Sequence, residues 1–206
     1  IDHNAAREGE HLIHFQIGKI GEKLVGLVDG DYGDYTYSNG AFTMYKLNTN
    51  SGGWNNSHMR ETVLGSNSTS ATSPTANTLL AALPADLRAV MKPATKYSDN
   101  TGGGHDTASY VTATQDLLPL LSEFEYFGVR TYANSAEQNY QVQYDYYKAE
   151  NSKVHYKHNA TGTKASVWCR SVDSSTNCYF CRVYTDGDTA TDGAYYSLAL
   201  APCFFV

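Results

Sequence analysis

The chain has 206 residues, a formal net charge of −6 at pH 7 and 41% hydrophobic residues. That length suits one domain with a sizeable core, and we treat residues 1–206 as a single domain. No apolar run approaches the roughly eighteen residues of a membrane span, and 15 Lys and Arg residues are too few for a nucleic-acid-binding face. We therefore expect neither a membrane span nor a nucleic-acid partner. Because the chain begins at Ile1 rather than Met, we expect a fragment or a processed form.

A β-hairpin is predicted near the start of the chain. Apolar and polar residues alternate across 11–20, and a second apolar run follows at 24–28. A period of two is typical of strands. The acidic stretch 29–34 lacks the third alternating acid and the bidentate Glu of a calcium-binding loop, so it predicts a polar turn.

Three short helices are predicted between residues 57 and 93. The first covers 57–64 and stops at Gly65, a residue type that often ends helices. Asn77 is predicted to cap the second helix, and Pro84 lies in the first turn of the third, which Pro93 ends. The apolar residues that should face the core are Met59, Val63, Leu64, Leu79, Leu80, Leu83, Leu87, Val90 and Met91.

A compact apolar run at 116–121 precedes the first of two predicted capping boxes. In this box, the Ser122 side chain and the Glu125 side chain each bond to the other residue's backbone N–H. The pattern predicts a short helical turn that ends at Gly128.

The second capping box, Ser135 with Gln138, predicts the longest helix of the chain at 136–149. Three tyrosines would form one stripe packed against a sheet: Tyr140, Tyr144 and Tyr147. His155 and His158 follow in a polar linker and are predicted to lie at the surface.

The last 42 residues, 165–206, predict three strands, at 166–170, 179–185 and 201–206, joined by two loops. The loops, 171–178 and 186–200, are rich in Tyr, Ser, Thr and Asp, a composition typical of binding surfaces. The segment contains no Glu, Lys, Gln or Met, although the first 164 residues contain 25 of them. A β-rich segment that avoids long side chains is the simplest explanation of this deficit.

All four cysteines lie in this segment: Cys169, Cys178, Cys181 and Cys203. Cys178 and Cys181 have the spacing of half a zinc site, but no second pair and no His beyond His158 complete a ligand set. We therefore expect buried free thiols, and neither a metal nor another cofactor.

Four motifs occur in an order that resembles an uncharacterised bacterial and phage domain family, whose members read W-x-x-S-x-x-R-x-W-L, F-L-L-S-x-x-E, W-W-L-R-S-P and R-P-A-F. The matching residues are Trp54, Ser57, Arg60 and Leu64, then 116–123, then Trp168-Cys169-Arg170-Ser171, then 201–206. The departures are Val167-Trp168-Cys169 for Trp-Trp-Leu, Val172 for Pro, and no Arg before Pro202. The resemblance implies an α+β, C-type lectin-like fold of the formylglycine-generating-enzyme branch, with short antiparallel sheets, a few flanking helices and long loops.

The same branch supplies the variable proteins of diversity-generating retroelements. These systems recopy a C-terminal segment with errors at adenines, so that Asn codons become NNY codons. Such codons cannot encode Glu, Lys, Gln, Met or Trp, and the deficit in 165–206 is what this process would leave. Trp168 would then be an unmutated scaffold position.

The resemblance implies a non-enzymatic, hypervariable domain that binds a ligand or receptor, at a bacteriophage tail or on a bacterial cell surface. Its partner would be a protein or another cell-surface ligand, and a homo-oligomer stays open. The expected contact residues lie in the C-terminal loops: Asp173, Ser174, Thr176, Tyr179, Asp188, Thr191, Asp192, Tyr195, Tyr196 and Leu198. Trp168, Arg170 and Phe204 are expected to be buried scaffold. Neither the Glu-Pro-Asn nor the Gln-Pro-Asp motif of calcium-dependent lectins occurs, so we expect neither calcium nor a sugar ligand.

Two alternatives remain. A static structural domain of a virion or cell surface would have C-terminal loops that bind nothing. An enzyme resembling the formylglycine-generating branch would need a reactive cysteine pair or a copper site in a cleft, and Cys169 and Cys203 are the candidate cysteines.

Overall fold

A computed structural model describes residues 14–16, 18–29 and 41–206. These residues form a mixed helix-and-strand architecture with several short sheets and few helices, compatible with the predicted α+β class. The strands are β1 (His14–Gln16), β2 (Lys19–Ile20), β3 (Lys23–Gly26), β4 (Ala94–Asp99), β5 (Val111–Asp116), β6 (His155–Lys157), β7 (Ala160–Ala165), β8 (Val167–Val172), β9 (Tyr179–Val183), β10 (Thr189–Gly193) and β11 (Cys203–Phe205).

The strands pair in four small sheets, ordered β1-β11, β10-β9-β8, β2-β3-β6-β7 and β4-β5. Every pair is antiparallel except β3 with β6. The helices are all short: Met59–Leu64 (a π-helix), Leu79–Ala82, Ala85–Val90, Glu123–Phe127 and Asp145–Lys148, with 3₁₀ turns at Ala108–Tyr110 and Ser135–Asn139. Within the described ranges, no helix has the length and apolar character needed to cross a membrane.

The N-terminal hairpin is shorter than predicted. Lys19–Ile20 pairs with Lys23–Gly26, but His14–Gln16 pairs with the C-terminal strand Cys203–Phe205. The two ends of the described chain therefore lie side by side. Of the predicted polar turn, Asp29 is described and residues 30–34 lie outside the described residues.

The helix predicted at 57–64 is confirmed as Met59–Leu64, with Met59 and Leu64 buried. It ends at Gly65, whose φ of 69° is left-handed, and a Cβ there would lie 2.5 Å from Thr78 Oγ1. Glycine is therefore required by both the backbone and the close approach of Thr78.

The next two helices form, but two details of the prediction are wrong. Thr78 rather than Asn77 caps the first of them, since its side chain accepts a hydrogen bond from Ala81 N at 3.3 Å. Asn77 itself has a φ of 63°, which places it in a turn before the cap. Val90 is 54% exposed rather than part of the core, while Met91 is buried.

The first capping box is confirmed in full. Glu125 N donates to Ser122 Oγ at 3.0 Å, Ser122 N donates to Glu125 Oε2 at 2.8 Å, and Gly128 ends the helix. The adjacent apolar run is buried as predicted, at Leu117, Leu118, Leu120 and Leu121.

The long helix predicted at 136–149 is wrong. Only the 3₁₀ turn Ser135–Asn139, capped by Asn134 rather than Ser135, and the short helix Asp145–Lys148 form. The chain leaves the helical path between them because Tyr144 N donates to Glu125 O at 3.0 Å instead of to its own helix. Of the predicted stripe, Tyr144 and Tyr147 are buried and Tyr140 is 43% exposed.

His155 is buried, which contradicts its predicted surface position. It lies on β6, between β3 and β7, where both sides of the strand are paired. Its Nδ1 lies 2.8 Å from Lys153 O, and burial lowers its pKa to about 4. His158 is exposed, as predicted.

The C-terminal sheet lies between two hydrophobic clusters. Side chains alternate across a strand, so Trp168 and Phe180 belong to one cluster while Cys169 and Cys181 belong to the other. Its third strand, Thr189–Gly193, lies where the loop 186–200 was predicted, because pairing with β9 overrides a composition typical of loops.

The three predicted scaffold residues are buried. Trp168 Nε1 donates to Phe42 O at 3.1 Å, and Arg170, which is 0% exposed, pairs with Glu125. Phe204 is 8% exposed and lies on β11.

Candidate functional site

A cleft of about 320 Å³ opens beside the C-terminal sheet. This volume is at the lower end of the range of small-molecule sites. Its walls combine aromatic rings, hydroxyl groups and one charge of each sign. We call it the Arg182 cleft; it is lined by Ser166, Arg182, Tyr184, Thr185, Asp192, Tyr196 and Leu198.

Arg182 is held in this cleft from three directions. Its Nη1 lies 3.2 Å from Asp192 Oδ2 and 3.3 Å from Ser166 Oγ, and its Cζ lies 4.8 Å from the centre of the Tyr184 ring. Its Nε is buried and has no hydrogen-bond partner within the described part of the chain. An unsatisfied buried donor costs roughly 1–3 kcal/mol, so an oxygen acceptor placed beside Nε would be stabilising.

Sequence reasoning missed Arg182, Tyr184, Thr185 and Ser166, because it sought contact residues in the loops and, apart from Tyr179, left the predicted strands to the scaffold. The alternation of residues along β9 does predict which way Arg182 points. Arg182 alternates with the fully buried Cys181 and Val183, and residues two apart share a face of a strand. A charged residue at that position should therefore point away from the cysteine-containing core.

A second group of candidate residues surrounds Gly193. The rings of Tyr195 and Tyr196 stack with centroids 4.8 Å apart. A Cβ on Gly193 would lie 3.0 Å from Asn48 Oδ1 and 3.2 Å from each of these rings. Gly193 lies across the ladder from Tyr179, which is 38% exposed. The three tyrosines among the predicted contact residues therefore all neighbour this glycine.

The segment that contains Asn48 also belongs to this surface, although sequence reasoning did not select it. Tyr45 N donates to Ala194 O at 2.9 Å, which places this segment next to the residue that precedes Tyr195. Leu47, the residue before Asn48, is 74% exposed, so this segment also offers an apolar side chain to solvent.

Asn50 anchors the main chain of the loop 173–179 through hydrogen bonds. Its Nδ2 donates to Thr176 O at 2.8 Å and Tyr179 O at 3.0 Å, and its Oδ1 accepts from Gly103 N at 2.8 Å. Its backbone N donates to Asn177 O at 2.9 Å. These bonds all reach main-chain atoms, so they do not depend on which side chains the loop carries.

The predicted contact residues do not form one continuous surface. Asp192, Tyr196 and Leu198 line the Arg182 cleft. Thr191 lies on the opposite face of β10 from Asp192, because adjacent residues of a strand point to opposite sides. Asp188 is exposed in the turn before β10.

Three of the predicted contacts are buried. Asp173 is 3% exposed, and its Oδ1 accepts from Ser175 N at 2.8 Å. Ser174 is 8% exposed and donates to Tyr132 O at 3.0 Å, while Leu198 is 4% exposed and packs in a core cluster. Thr176 is half-buried, and its Oγ1 has no hydrogen-bond partner among the described residues.

A second cleft, of about 370 Å³, includes Lys46, His58, Val63 and Leu79 in its lining. Burial, together with the nearby Lys46 charge, lowers the pKa of His58. None of the predicted contact residues lines this cleft.

A group of ionisable side chains lies in the interior. Glu125 contacts Arg170 and Lys96, and Glu137 accepts hydrogen bonds from Ser171 Oγ at 2.6 Å and from Asp99 N at 2.9 Å. Burial raises the pKa of Glu137 to about 7. These carboxylates are fully buried, so they bond to the scaffold and cannot reach a ligand.

The four cysteines are free thiols. Cys169, Cys181 and Cys203 are buried and Cys178 is half-buried. Burial raises the pKa values of the Cys169 and Cys181 thiols well above their usual range. Across residues 14–16, 18–29 and 41–206, no three His, Cys, Asp or Glu side chains are grouped so that they could hold a metal ion.

No curated protein and no solved structure matches the chain significantly. A family model described as a domain of unknown function, DUF6273, matches residues 32–206. The match includes the Trp54–Leu64 motif, the Arg170 motif and the C-terminal strand. The chain therefore belongs to the DUF6273 family.

Proposed function

We propose that this domain is a non-enzymatic binding module whose contact surface is formed by the exposed side chains of residues 165–206. The observation that carries the proposal is that the main chain of this segment is fixed by the scaffold while its outward side chains are exposed. Its main chain is held by Asn50 and by strand pairing, while its outward side chains line the Arg182 cleft and the surface around Gly193. Such a segment can change its contact residues without changing its backbone.

The residue types of this surface support the proposal. Arg and Tyr are enriched among the residues that carry most of the energy of protein interfaces. Arg182, Tyr184 and Tyr196 line one cleft, and Tyr195 stacks on Tyr196 at its edge. A rigid ring beside a fixed guanidinium can bind a partner with little loss of conformational entropy.

We further propose that the fold is C-type lectin-like and that the chain is a variable protein of a diversity-generating retroelement, at a phage tail or on a bacterial surface. The short sheets, few helices and long connections support the first part. The absence of Glu, Lys, Gln and Met from 165–206 supports the second. Burial favours a scaffold role for Asp173, Ser174 and Leu198. The positions proposed to vary are Thr176, Tyr179, Asp188, Thr191, Asp192, Tyr195 and Tyr196.

The enzymatic alternative receives less support. Cys169 and Cys203, its candidate nucleophiles, are both buried, and burial raises the pKa of Cys169 well above its usual range. A catalytic thiol normally needs a lowered pKa and access to substrate. A static structural domain remains the second candidate, because the same rigid backbone would suit it.

Sequencing the DNA on both sides of the reading frame tests the proposal. We expect a near-copy of the codons for 165–206 beside a reverse-transcriptase gene, with differences almost only at adenines of the copy. Finding neither the copy nor the reverse transcriptase would reduce the amino-acid deficit to coincidence and would favour the structural role.

A further inference from the structure

Among the described residues, the C-terminal sheet has one edge on which no further strand pairs. β8 is covered on its far side, where Trp168 N donates to Ala199 O and Arg170 N donates to Leu121 O, each at 3.0 Å. β10 pairs with β9 on one side, and among the described residues no strand pairs with its other side. Within the part of the chain that the structure describes, the outer side of β10 is therefore the edge of the sheet that stays unpaired.

Two hydrogen bonds fix which residues of β10 face outward. Tyr184 N donates to Asp188 O, and Ala194 N donates to Cys178 O, each at 2.8 Å. Hydrogen-bonded pairs alternate along an antiparallel ladder, so the even-numbered residues of β10 bond to β9. The odd-numbered residues direct their N–H and C=O groups away from the sheet.

The outward groups belong to Thr189, Thr191 and Gly193. Gly193 is already engaged, because its N donates to Asp192 Oδ1 at 2.9 Å and its O accepts from Tyr196 N at 3.0 Å. The main-chain groups of Thr189 and Thr191 make no hydrogen bond outside the sheet to any described residue. They offer two donors and two acceptors at the spacing of a further strand.

This edge lacks three of the features that usually protect one, namely Pro, Lys and a β-bulge. Residues 189–193 read Thr-Ala-Thr-Asp-Gly, and their register with β9 is regular throughout. Charged side chains also protect edges, and here Asp188 and Asp192 disfavour an added strand that is itself acidic. An edge of this kind can pair with an extended peptide of complementary charge.

The charges beside the edge indicate what that peptide should carry. Asp188, Ala190 and Asp192 share one face, because they are two residues apart. Asp188 is exposed, and the Asp192 side chain is 26% exposed. Asp192 Oδ2 already lies 3.2 Å from Arg182 Nη1, so a partner cation at that position would share the carboxylate with Arg182. Opposite charges directly across a ladder are stabilising, so cations four residues apart would meet both carboxylates. The small Ala190 leaves room for a larger apolar side chain between them.

In the register centred on Ala190, a second copy of this chain fits the edge poorly. If two β10 strands paired antiparallel about Ala190, Asp188 of each would lie directly across from Asp192 of the other. Like charges in that position are destabilising.

We propose that β10 is a docking site for an extended segment of a partner protein, which adds to the sheet as a fourth strand and carries Lys or Arg at two positions four residues apart. This inference rests on the proposed function, since it names the kind of partner that the C-terminal segment binds. The main-chain bonds of Thr189 and Thr191 supply affinity, and Asp188 and Asp192 supply selectivity.

Amide hydrogen exchange of the full chain, followed by NMR, tests the first step. In the free protein, the Thr189 and Thr191 amides should exchange at least tenfold faster than those of Ala190 and Asp192. The peptide acetyl-Lys-Thr-Val-Thr-Lys-amide should then slow exchange at Thr191 by at least tenfold. A Thr191 amide that is already protected in the free protein, or one that the peptide at millimolar concentration leaves unprotected, would overturn the proposal.

Two variants at one position test the second step. Thr191→Pro removes the outward N–H without breaking a bond to β9, and Pro is tolerated on edge strands. Thr191→Val keeps the N–H and serves as the matched control, and circular dichroism checks that both variants fold. We expect Thr191→Pro to weaken binding of a fluorescent form of the lysine peptide at least tenfold and Thr191→Val to change it less than twofold.

Charge and oligomeric state complete the test. Replacing both lysines of the peptide with glutamate should weaken binding at least tenfold. Equal binding of the two peptides, equal binding by the two variants, or a wild-type dimer that Thr191→Pro dissociates would each contradict the proposed partner. None of these outcomes bears on whether the flanking DNA contains a template copy, so strand addition can fail while the proposed binding function stands.

Discussion

Arg170 and Glu125 form a two-armed ion pair inside the protein, in which Nη2 lies 2.9 Å from Oε1 and Nη1 contacts Oε2. Both side chains are 0% exposed. The same carboxylate accepts a hydrogen bond from Lys96 Nζ at 3.0 Å. One glutamate therefore joins β8, which begins the C-terminal sheet, to β4 and to the helix Glu123–Phe127.

Glu125→Gln should destabilise the protein strongly. The substituted side chain would still accept the capping bond from Ser122 N, but the buried Arg170 and Lys96 would both lose the negative charge of this carboxylate. Breaking one partner of a buried pair costs about 3–5 kcal/mol. Urea unfolding measures this loss. Lys148→Met, which breaks an exposed pair with Asp145 at 3.3 Å, is the control and should cost less than about 1 kcal/mol. Equal losses would show that burial does not matter here.

Asn50→Ala should loosen two loops together. It removes the Asn50 side-chain bonds to the main chain at Gly103, Thr176 and Tyr179, at roughly 1 kcal/mol per bond. We expect a loss of about 3 kcal/mol of unfolding free energy and faster amide exchange at Gly103. Asn177→Ala makes the same chemical change at an exposed site and should stay within about 0.5 kcal/mol. If both variants lose the same unfolding free energy, the side-chain hydrogen bonds of Asn50 do not stabilise the loop.

Glu137 should make the protein less stable as pH rises from 4.5 to 7. Its pKa is about 7 in the fold and ordinarily 4.5, so in this window the folded state keeps a proton that the unfolded state has lost. At 1.36 kcal/mol per pKa unit, the change is about 3 kcal/mol. Glu137→Gln should remove this slope from the unfolding free energy measured against pH, and an unchanged slope would refute the assignment.

His155 should make the protein less stable as pH falls. Its pKa is about 4 in the fold and ordinarily 6.5, so between pH 6.5 and 4 the unfolded state binds a proton that the folded state does not bind. Stability should fall by about 3 kcal/mol as pH drops from 6.5 to 4. His155→Asn keeps a donor for Lys153 O but does not titrate. Because Glu137 acts over an overlapping range, the two slopes partly cancel in the wild type, and the single variants separate them.

Thiol labelling tests the enzymatic alternative. In the folded protein at pH 7.5, we expect a thiol reagent to modify at most one cysteine, the half-buried Cys178, and to modify all four after unfolding. Burial holds the pKa values of Cys169 and Cys181 well above their usual range, so these two should react slowly. Rapid modification of Cys169 and Cys203 in the native state would restore the enzyme as a candidate.

Features determined by neighbouring residues could be predicted from the sequence. The Ser122–Glu125 capping box and the stops at Gly65 and Gly128 depend on contacts within a few residues, and all three form. The long helix failed where distant atoms compete for the backbone. The Gln141 side chain, for example, donates to Tyr97 O at 2.6 Å, a contact that helical periodicity cannot anticipate.

In the candidate site, too, features set by neighbouring residues could be predicted and features set by distant residues could not. Composition led to the proposed C-terminal surface and to Tyr179, Tyr195 and Tyr196, and their role in binding stays a prediction. Composition could not indicate the role of Asn50, because it bonds to a loop more than 120 residues later in the chain. His155 was misplaced for the same reason, since its burial comes from pairing with β3 at the other end of the sequence.

Comparing alleles of this reading frame from many isolates tests the central claim most directly, which is that side chains vary on a fixed backbone. We predict that substitutions concentrate at the exposed and half-buried positions Thr176, Tyr179, Asp188, Thr191, Asp192, Tyr195 and Tyr196, while Asn50, Glu125, Arg170 and Gly193 stay constant. Substitutions spread evenly over the surface, or C-terminal loops as constant as the core, would contradict a variable binding surface and leave a static structural domain.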